Sequence, residues 1–147
     1  MKFKLVKLLP IAAVLSGMLA TSQSASAITG LADHKESALE VLPGNHYQWK
    51  LQTAIDEDWF LWQNKTADKH DLSASLTSPI GKNFDLEAHY VTSQKTVVVQ
   101  AEDHGPGKTD SIHLTAIQPG EKVYLRLKSH DGDYSTTSNY DFTYSIQ

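Results

Sequence analysis

Runs of alternating apolar and polar residues, separated by turn sequences, constrain this chain most strongly from Gly44 to its end. Successive side chains on a β-strand point to opposite faces, so each such run predicts a strand with one apolar face. Leu72, Ala74 and Leu76 alternate with serine and threonine, and residues 123–128 repeat the pattern with larger polar groups. Turn sequences recur about every 8–12 residues. The pattern therefore predicts short strands joined by tight connections.

About eight such runs fit into residues 44–147, and no long helical pattern separates them. Strands with one apolar face become stable when two sheets close over a shared interior. The predicted fold is therefore all-β, an antiparallel β-sandwich or jelly roll of about eight strands. We expect Trp49, Phe60, Trp62 and Tyr144 in its core, because they are in register with aliphatic neighbours.

The beginning of the chain has the pattern of a secretory signal peptide. Lys2, Lys4 and Lys7 give a basic start, residues 8–20 are mostly apolar, and Ala25-Ser26-Ala27 matches a cleavage site with small residues. The apolar stretch is short for a membrane span. We expect cleavage after the last of these alanines and release into the periplasm or outside the cell.

Cleavage at this point divides the chain into three predicted parts. Residues 1–27 are the signal peptide, residues 28–43 are a lead-in segment, and residues 44–147 form the β-sandwich domain. The lead-in is rich in helix formers but short, so a helical turn and an extended strand both fit it. The mature length suits one domain with its own core, which has no cysteine to form disulfides.

The charge of the mature chain excludes some partners. Loss of the three signal lysines leaves 10 Lys and Arg against 17 Asp and Glu, a formal charge of −7 with histidine neutral. Binding to nucleic acid or to an anionic membrane surface needs clustered basic residues. We therefore expect no nucleic-acid partner and no membrane partner after signal cleavage.

Four segments, taken in order, carry a family resemblance. An Asp-x-Asp-aromatic-aromatic strand begins at Asp56, an Asp-Leu pair follows at Asp85, a glycine-led strand with Tyr, Leu and Arg begins at Gly120, and an aromatic strand begins at Tyr140. In this order and spacing, residues 44–147 resemble the bacterial pre-peptidase C-terminal domain, a small jelly-roll module. The resemblance implies a non-catalytic accessory module of the kind that follows secreted proteases, and some relatives bind calcium or collagen-like substrates.

Trp59 and Tyr124 are candidate ligand-binding residues. Trp59 alternates with Phe60, and Tyr124 alternates with Leu125, so both are expected to point away from the core. Exposed aromatic rings on one sheet stack on sugars or pack against peptides. The alternative is that the lead-in segment or a loop covers them.

Asp56, Asp58 and Asp85 are candidate ligands for calcium. Asp56 and Asp58 flank Glu57 at a strand entrance, and stacking of the sheets as in the resembled family would place Asp85 nearby. Oxygen ligands that converge from several segments suit Ca²⁺, although the spacing matches no dedicated loop such as an EF-hand. The alternative is a solvated acidic turn whose carboxylates accept backbone hydrogen bonds.

Catalysis has little support in the sequence. The chain has no cysteine, no Gly-x-Ser-x-Gly and no His-Glu-x-x-His segment, and its seven histidines are scattered. We therefore expect a secreted, non-enzymatic module that binds an extracellular protein or polysaccharide, acting alone or beside a secreted protease. The alternatives are a carbohydrate-binding jelly roll of another lineage and an exported protease inhibitor or partner.

Overall fold

The computed structural model describes residues 32–147. The predicted signal peptide and its cleavage site lie outside these residues. A 3₁₀ turn comes first, and nine strands follow it. These elements are the turn Lys35–Ser37, β1 (Leu39–Glu40), β2 (His46–Trp49), β3 (Glu57–Gln63), β4 (His70–Thr77), β5 (Phe84–Val91), β6 (Thr96–Gln100), β7 (Thr109–Ile117), β8 (Lys122–Ser129) and β9 (Tyr140–Ile146). Within residues 32–147, no helix is long and apolar enough to cross a membrane.

The nine strands form two sheets that pack on each other. One has five strands in the order β1-β3-β8-β5-β6, and the other has four in the order β2-β9-β4-β7. All neighbouring strands are antiparallel except β1, which runs parallel to β3 with Leu39 opposite Phe60. The predicted β-sandwich is therefore confirmed, and β1 is a strand in addition to the eight that the alternation indicated.

Aromatic rings from both sheets meet in the core. Phe60 of β3 stacks on Phe142 of β9, with ring centroids 4.7 Å apart and planes within 14° of each other. Trp49 and Tyr144 are buried beside them, as predicted, whereas Trp62 is only half-buried at the edge of the core. Such ring pairs contribute roughly 0.5–1.5 kcal/mol beyond the burial of their area.

The lead-in segment contains both structures that its sequence left open. The 3₁₀ turn closes where Ser37 N–H donates to the His34 carbonyl at 2.9 Å, and β1 follows two residues later. Before the turn, the Ala32 carbonyl accepts a hydrogen bond from Trp59 N–H at 2.9 Å. The segment therefore runs along the β3 side of the five-stranded sheet.

The turn before β8 holds that strand in place. Gly120 has a φ of 84°, a left-handed conformation that glycine adopts without steric penalty. Its N–H donates to the carbonyl of Asn64 at 2.7 Å, and the buried Asn64 side chain donates to the Ile117 carbonyl at 3.0 Å. Asn64, which directly follows β3, is thus bonded to the end of β7 and to the turn, and this positions the start of β8 beside β3.

Candidate functional site

The five-stranded sheet turns one face towards the core and the other, here called the outer face, away from it. Directly opposed residues on neighbouring strands point the same way, so the register defines rows of side chains. From β3 through β8 to β5, the rows on the outer face are Glu57, Lys128 and Asp85; Trp59, Arg126 and Glu87; and Leu61, Tyr124 and His89. The two candidate ligand residues, Trp59 and Tyr124, thus lie in neighbouring rows of one face.

Trp59 lies on the outer face but is not exposed. Only 6% of the residue is accessible to solvent. The His89 ring packs edge-on at 4.9 Å between centroids, the Arg126 guanidinium carbon lies 5.4 Å from the ring centre, and the indole N–H donates to Glu57 Oε2 at 2.9 Å. The expectation of a solvent-facing Trp59 is therefore wrong, because polar side chains from its own and neighbouring strands pack around the indole.

Tyr124 is half-buried, and the lead-in segment partly covers it. Lys35 Nζ, from the 3₁₀ turn, lies 4.7 Å from the centre of the Tyr124 ring. A cation–π contact at a partly exposed site stabilises by only about 0.5–1 kcal/mol. The contact is therefore weak, and Tyr124 is the more accessible of the two aromatic residues.

A chain of opposite charges crosses the centre of the outer face. Arg126 Nε donates to Glu57 Oε2 at 3.0 Å, and Arg126 Nη1 donates to Glu87 Oε2 at 3.0 Å. Lys128 Nζ lies 2.6 Å from Glu87 Oε1. These four residues, Glu57, Arg126, Glu87 and Lys128, are called the charge network below. Their bonds join three strands, so the network holds the face in one shape.

Both glutamates of the charge network are stabilised as anions. Burial alone would raise the pKa of Glu87, but hydrogen bonds from Lys128 and Arg126, together with their charges, lower that pKa to about 2. Burial likewise works against the ionisation of Glu57, and hydrogen bonds from Arg126 and Trp59 outweigh it and lower the pKa of Glu57. The network therefore keeps alternating charges at neutral pH.

A polar cleft of about 210 Å³ opens beside the charge network, between the ends of β5, β6 and β8. Its polar lining is Asp85, Glu87, Gln100, Asp103, Lys128 and His130. His130 Nδ1 lies 2.8 Å from Asp85 Oδ1, and His130 Nε2 lies 3.6 Å from Asp103 Oδ2. The hydrogen bond with Asp85 outweighs desolvation and, with the charges of Asp103 and Asp131, raises the pKa of His130. The cleft offers carboxylate and amide oxygens to a ligand that carries N–H or O–H donors.

The three candidate calcium ligands do not converge. Asp58 points towards the core, where the Tyr140 hydroxyl donates to Asp58 Oδ2 at 2.6 Å. Asp85 lies on the outer face, against His130. The expectation that Asp56, Asp58 and Asp85 form one site is therefore wrong, because the sheet itself separates Asp58 from Asp85. Among residues 32–147, no three His, Asp or Glu side chains are arranged to hold a metal ion.

Asp56 and Asp58 nevertheless share an unusual environment. Burial, and secondarily the charges of Asp33 and Glu57, raise the pKa of Asp56 against the hydrogen bond that Gln52 N–H donates to it at 2.5 Å. Burial also raises the pKa of Asp58 to about 7 against the hydrogen bond from Tyr140, and the charges of Asp56 and Asp33 add to the rise. Ionisation of these two carboxylates is therefore unfavourable, and the binding of a proton or a cation would offset that cost.

The sequence did not identify the charge network or His130 as part of the site. Arg126 and Lys128 alternate with apolar residues on β8, which indicates only that they face away from the core. Their meeting with Glu87 depends on the pairing of β8 with β5, strands that lie far apart in the sequence. His130 follows β8 in a loop, where no periodic pattern gives its direction.

The four-stranded sheet presents a different outer surface, made largely of hydroxyl groups. Ser75 Oγ lies 3.0 Å from Ser111 Oγ, and Ser73 Oγ lies 2.9 Å from His113 Nδ1. A serine beside a histidine suggests a nucleophile and its base, which require a third group to orient the imidazole. Within residues 32–147, no carboxylate forms a hydrogen bond or ion pair with His113. The pair therefore gives no support to catalysis.

Comparison with solved structures supports the fold. The chain is similar to the crystal structure of the pre-peptidase C-terminal domain of collagenase from Bacillus anthracis, with a TM-score of 0.55 and 16% sequence identity, over 74% of this chain and 94% of that one. No family model and no curated protein matches the sequence. At this identity the similarity shows the fold alone, which is the fold that the four ordered segments predicted.

Proposed function

We propose that this protein is a secreted, non-catalytic binding module that is similar to pre-peptidase C-terminal domains in role as well as in fold. Its outer face binds an extracellular protein or polysaccharide. The observation that carries the proposal is the combination of three features on one face: a charge network that holds its shape, the partly exposed Tyr124, and the open polar cleft beside His130.

The acidic character of the cleft favours a protein as the ligand. Asp85, Glu87 and Asp103 line it, against Lys128 and His130. Lysine and arginine side chains of a protein ligand would complement the surplus of carboxylates and pair with them by charge-assisted hydrogen bonds. A polysaccharide would instead need accessible ring faces, and Tyr124 supplies one such face while Trp59 lies beneath its neighbours.

The binding experiment uses immobilised collagen, cell-wall glycan and a panel of secreted proteases as probes for the mature chain. Tyr124→Ala and Gln100→Ala each remove one accessible group from the proposed ligand surface. Thr143→Ala is the matched control, because Thr143 lies on the outer surface of the four-stranded sheet. We expect Tyr124→Ala to weaken binding by about tenfold or more, as an aromatic anchor does, and Thr143→Ala to leave it unchanged.

Two outcomes of this experiment would contradict the proposed surface. Binding that survives both outer-face variants would place the ligand elsewhere, and loss of binding in Thr143→Ala would move it to the other sheet. Binding to glycan alone would favour the carbohydrate-binding alternative. Inhibition of a protease in the panel would favour the exported inhibitor.

We also propose calcium as a structural ion, held near Asp56 and Asp58 but not Asp85. Burial and the charges of neighbouring carboxylates raise the pKa of both Asp56 and Asp58 at one end of β3. Because no three acidic side chains among residues 32–147 form a ready site, calcium would have to draw these two together and complete its shell with backbone or water oxygens. A ligand that binds only the folded state at 100 times its Kd raises the unfolding free energy by about 2.7 kcal/mol.

Thermal unfolding at neutral pH with calcium and with a chelator tests this second proposal. We expect calcium to raise the Tm of the parent protein, Asp56→Asn to abolish the rise, and Asp85→Asn to retain it. The same midpoint with calcium and with chelator would reject calcium binding. A rise that persists in Asp56→Asn would reject the proposed ligands.

A further inference from the structure

The edges of the two sheets differ in how well they are protected against pairing with another chain. The topology leaves β1 and β6 at the edges of the five-stranded sheet, and β2 and β7 at the edges of the four-stranded sheet. A regular strand at an edge offers unpaired N–H and C=O groups to any strand that approaches it. Proteins prevent this with short strands, bulges, prolines or inward-pointing charges.

Three of the four edges carry such devices. β1 has two residues and β2 has four. β7 is longer, but the charged Asp110 is buried on its inner side, and Ala116 interrupts the strand with a left-handed φ of 55°. These features shorten or distort the row of free backbone groups that an incoming strand would need.

The edge strand β6, with the sequence Thr-Val-Val-Val-Gln, is also short, at five residues, but it is regular along its whole length. It contains no charge, no proline and no positive φ. Val98, in the middle of the strand, is 51% exposed. The other large apolar residues exposed in residues 32–147 lie outside strands, at Leu42, Ile55, Ile80 and Tyr134.

The hydrogen bonds to β5 show which backbone groups of β6 are free. Thr92 N–H donates to the Lys95 carbonyl at 2.9 Å, and Ala101 N–H donates to the Leu86 carbonyl at 3.0 Å. Bonding alternates along an antiparallel strand, so the odd-numbered residues from 95 to 101 bond to β5. The N–H and C=O groups of Thr96, Val98 and Gln100 therefore point to the open edge.

We propose that β6 pairs with the β6 strand of a second copy of this chain, in an antiparallel register centred on Val98. In this register Val98 lies opposite Val98 of the other copy, and Thr96 lies opposite Gln100. The same three residues that offer free backbone groups then bond to each other across a two-fold axis. The pairing is self-complementary, which is what a symmetric contact between identical chains requires.

Charges at the two ends of β6 favour the same arrangement. Lys95 precedes the strand and Glu102 follows it, and both side chains are exposed. Antiparallel pairing brings the positive Lys95 end of each copy towards the negative Glu102 end of the other. The two side chains leave the strand on opposite faces, so the attraction acts between the strand ends and not as a direct ion pair. Parallel pairing would instead place like ends together, and is disfavoured.

The resulting dimer would contain one continuous ten-stranded sheet. Directly opposed residues point the same way, so the outer faces of both copies lie on the same side of this sheet. A contact through one short strand buries much less than the roughly 1,600 Å² of a standard interface, so we expect a weak, reversible dimer. Two ligand surfaces facing one way would give a polymeric partner two points of attachment.

Sedimentation velocity of the mature chain, at concentrations between about 10 μM and 1 mM, tests the dimer. A contact this small is expected to have its monomer–dimer equilibrium in that range. We expect a concentration-dependent shift from monomer to dimer. Val98→Lys places two like charges opposite each other and should raise the dimer Kd by about tenfold or more. Val98→Thr should retain the dimer, and Ser111→Lys, which puts the same charge on the β7 edge, should have no effect.

Charge reversal and amide exchange give readouts that do not depend on Val98. Lys95→Glu should weaken the dimer, and adding Glu102→Lys to it should restore the dimer. At the high concentration, the amides of Thr96, Val98 and Gln100 should gain protection, while those of Val97 and Val99 are protected at both concentrations. A monomer throughout the range, or a dimer that Val98→Lys leaves intact, would overturn the proposal.

Discussion

Replacing Glu87 by glutamine removes one negative charge from the centre of the outer face and keeps the size of the side chain. Glu87 is 3% exposed and is held by Lys128 and Arg126, whose side chains are about a quarter exposed. Its pKa falls from 4.5 to about 2 in the folded protein. At 1.36 kcal/mol per unit, this shift corresponds to about 3 kcal/mol, and the partial exposure of the partners reduces it to about 2–3 kcal/mol.

The pH dependence has a definite sign. A carboxylate with a lowered pKa stabilises the folded state above its unfolded pKa, and the stabilisation disappears as the pH falls through the folded pKa. We therefore expect the unfolding free energy of Glu87→Gln to be about 2–3 kcal/mol below that of the parent protein at pH 7, with the difference reduced to less than half at about pH 3.

Urea unfolding between pH 3 and pH 7, followed by tryptophan fluorescence and circular dichroism, measures this difference. Glu36→Gln is the control, because Glu36 is exposed in the lead-in turn and makes no hydrogen bond or ion pair in the part of the chain that the structure describes. A Glu87→Gln protein as stable as its parent at pH 7, or a difference that does not change with pH, would refute the stabilising role of the charge network.

Three further substitutions test the core and the backbone by the same unfolding assay. Tyr140→Phe removes the hydroxyl that donates to buried Asp58 and should destabilise by about 1–3 kcal/mol, whereas a neutral result would mean that this hydrogen bond contributes nothing. Phe142→Ala leaves a cavity against Phe60 and should destabilise by about 3–5 kcal/mol, so a loss below 1 kcal/mol would contradict the close packing of the two rings. Ala116→Gly relieves a left-handed φ of 55° at an exposed position and should stabilise by about 0.5–1 kcal/mol, so an unchanged or lower stability would contradict backbone strain at this residue.

The sequence predicted the fold well because its strands are strongly patterned. Leu72, Ala74 and Leu76 alternate without exception, and each is buried in β4 as the period of two requires. The two residues of β1 were left open, between a helical turn and an extended strand, for the opposite reason. Leu39 and Glu40 are too few to show a period, and their strand exists because β3 offers a free edge beside them.

The site was harder to predict because the exposure of a side chain depends on its neighbours as well as on the direction in which it points. Alternation correctly placed Trp59 away from the core, but its burial depends on His89 and Arg126, which arrive from two other strands. The prediction that Asp85 lies near Asp58 was wrong for a related reason. The two residues lie on opposite faces of one sheet, and their relation follows from the pairing of β3 with β8 and of β8 with β5. Contacts between strands distant in sequence leave no local pattern.

The charge network is difficult to explain by stability alone, and this favours a role in binding. A buried ion pair often stabilises a protein no more than apolar residues of similar size would, because desolvation offsets the attraction between the charges. Apolar residues in place of all four members of the network together could thus keep the fold with little loss, whereas removal of Glu87 alone leaves Arg126 and Lys128 unpaired. What the network adds is a rigid arrangement of carboxylate and guanidinium groups beside an open cleft, ordered before any ligand arrives. A ligand that meets preformed groups loses less entropy on binding.

On this reasoning, Glu87→Gln should weaken ligand binding even at a temperature where the variant is fully folded. Full affinity in the folded variant would leave the network as a purely structural feature.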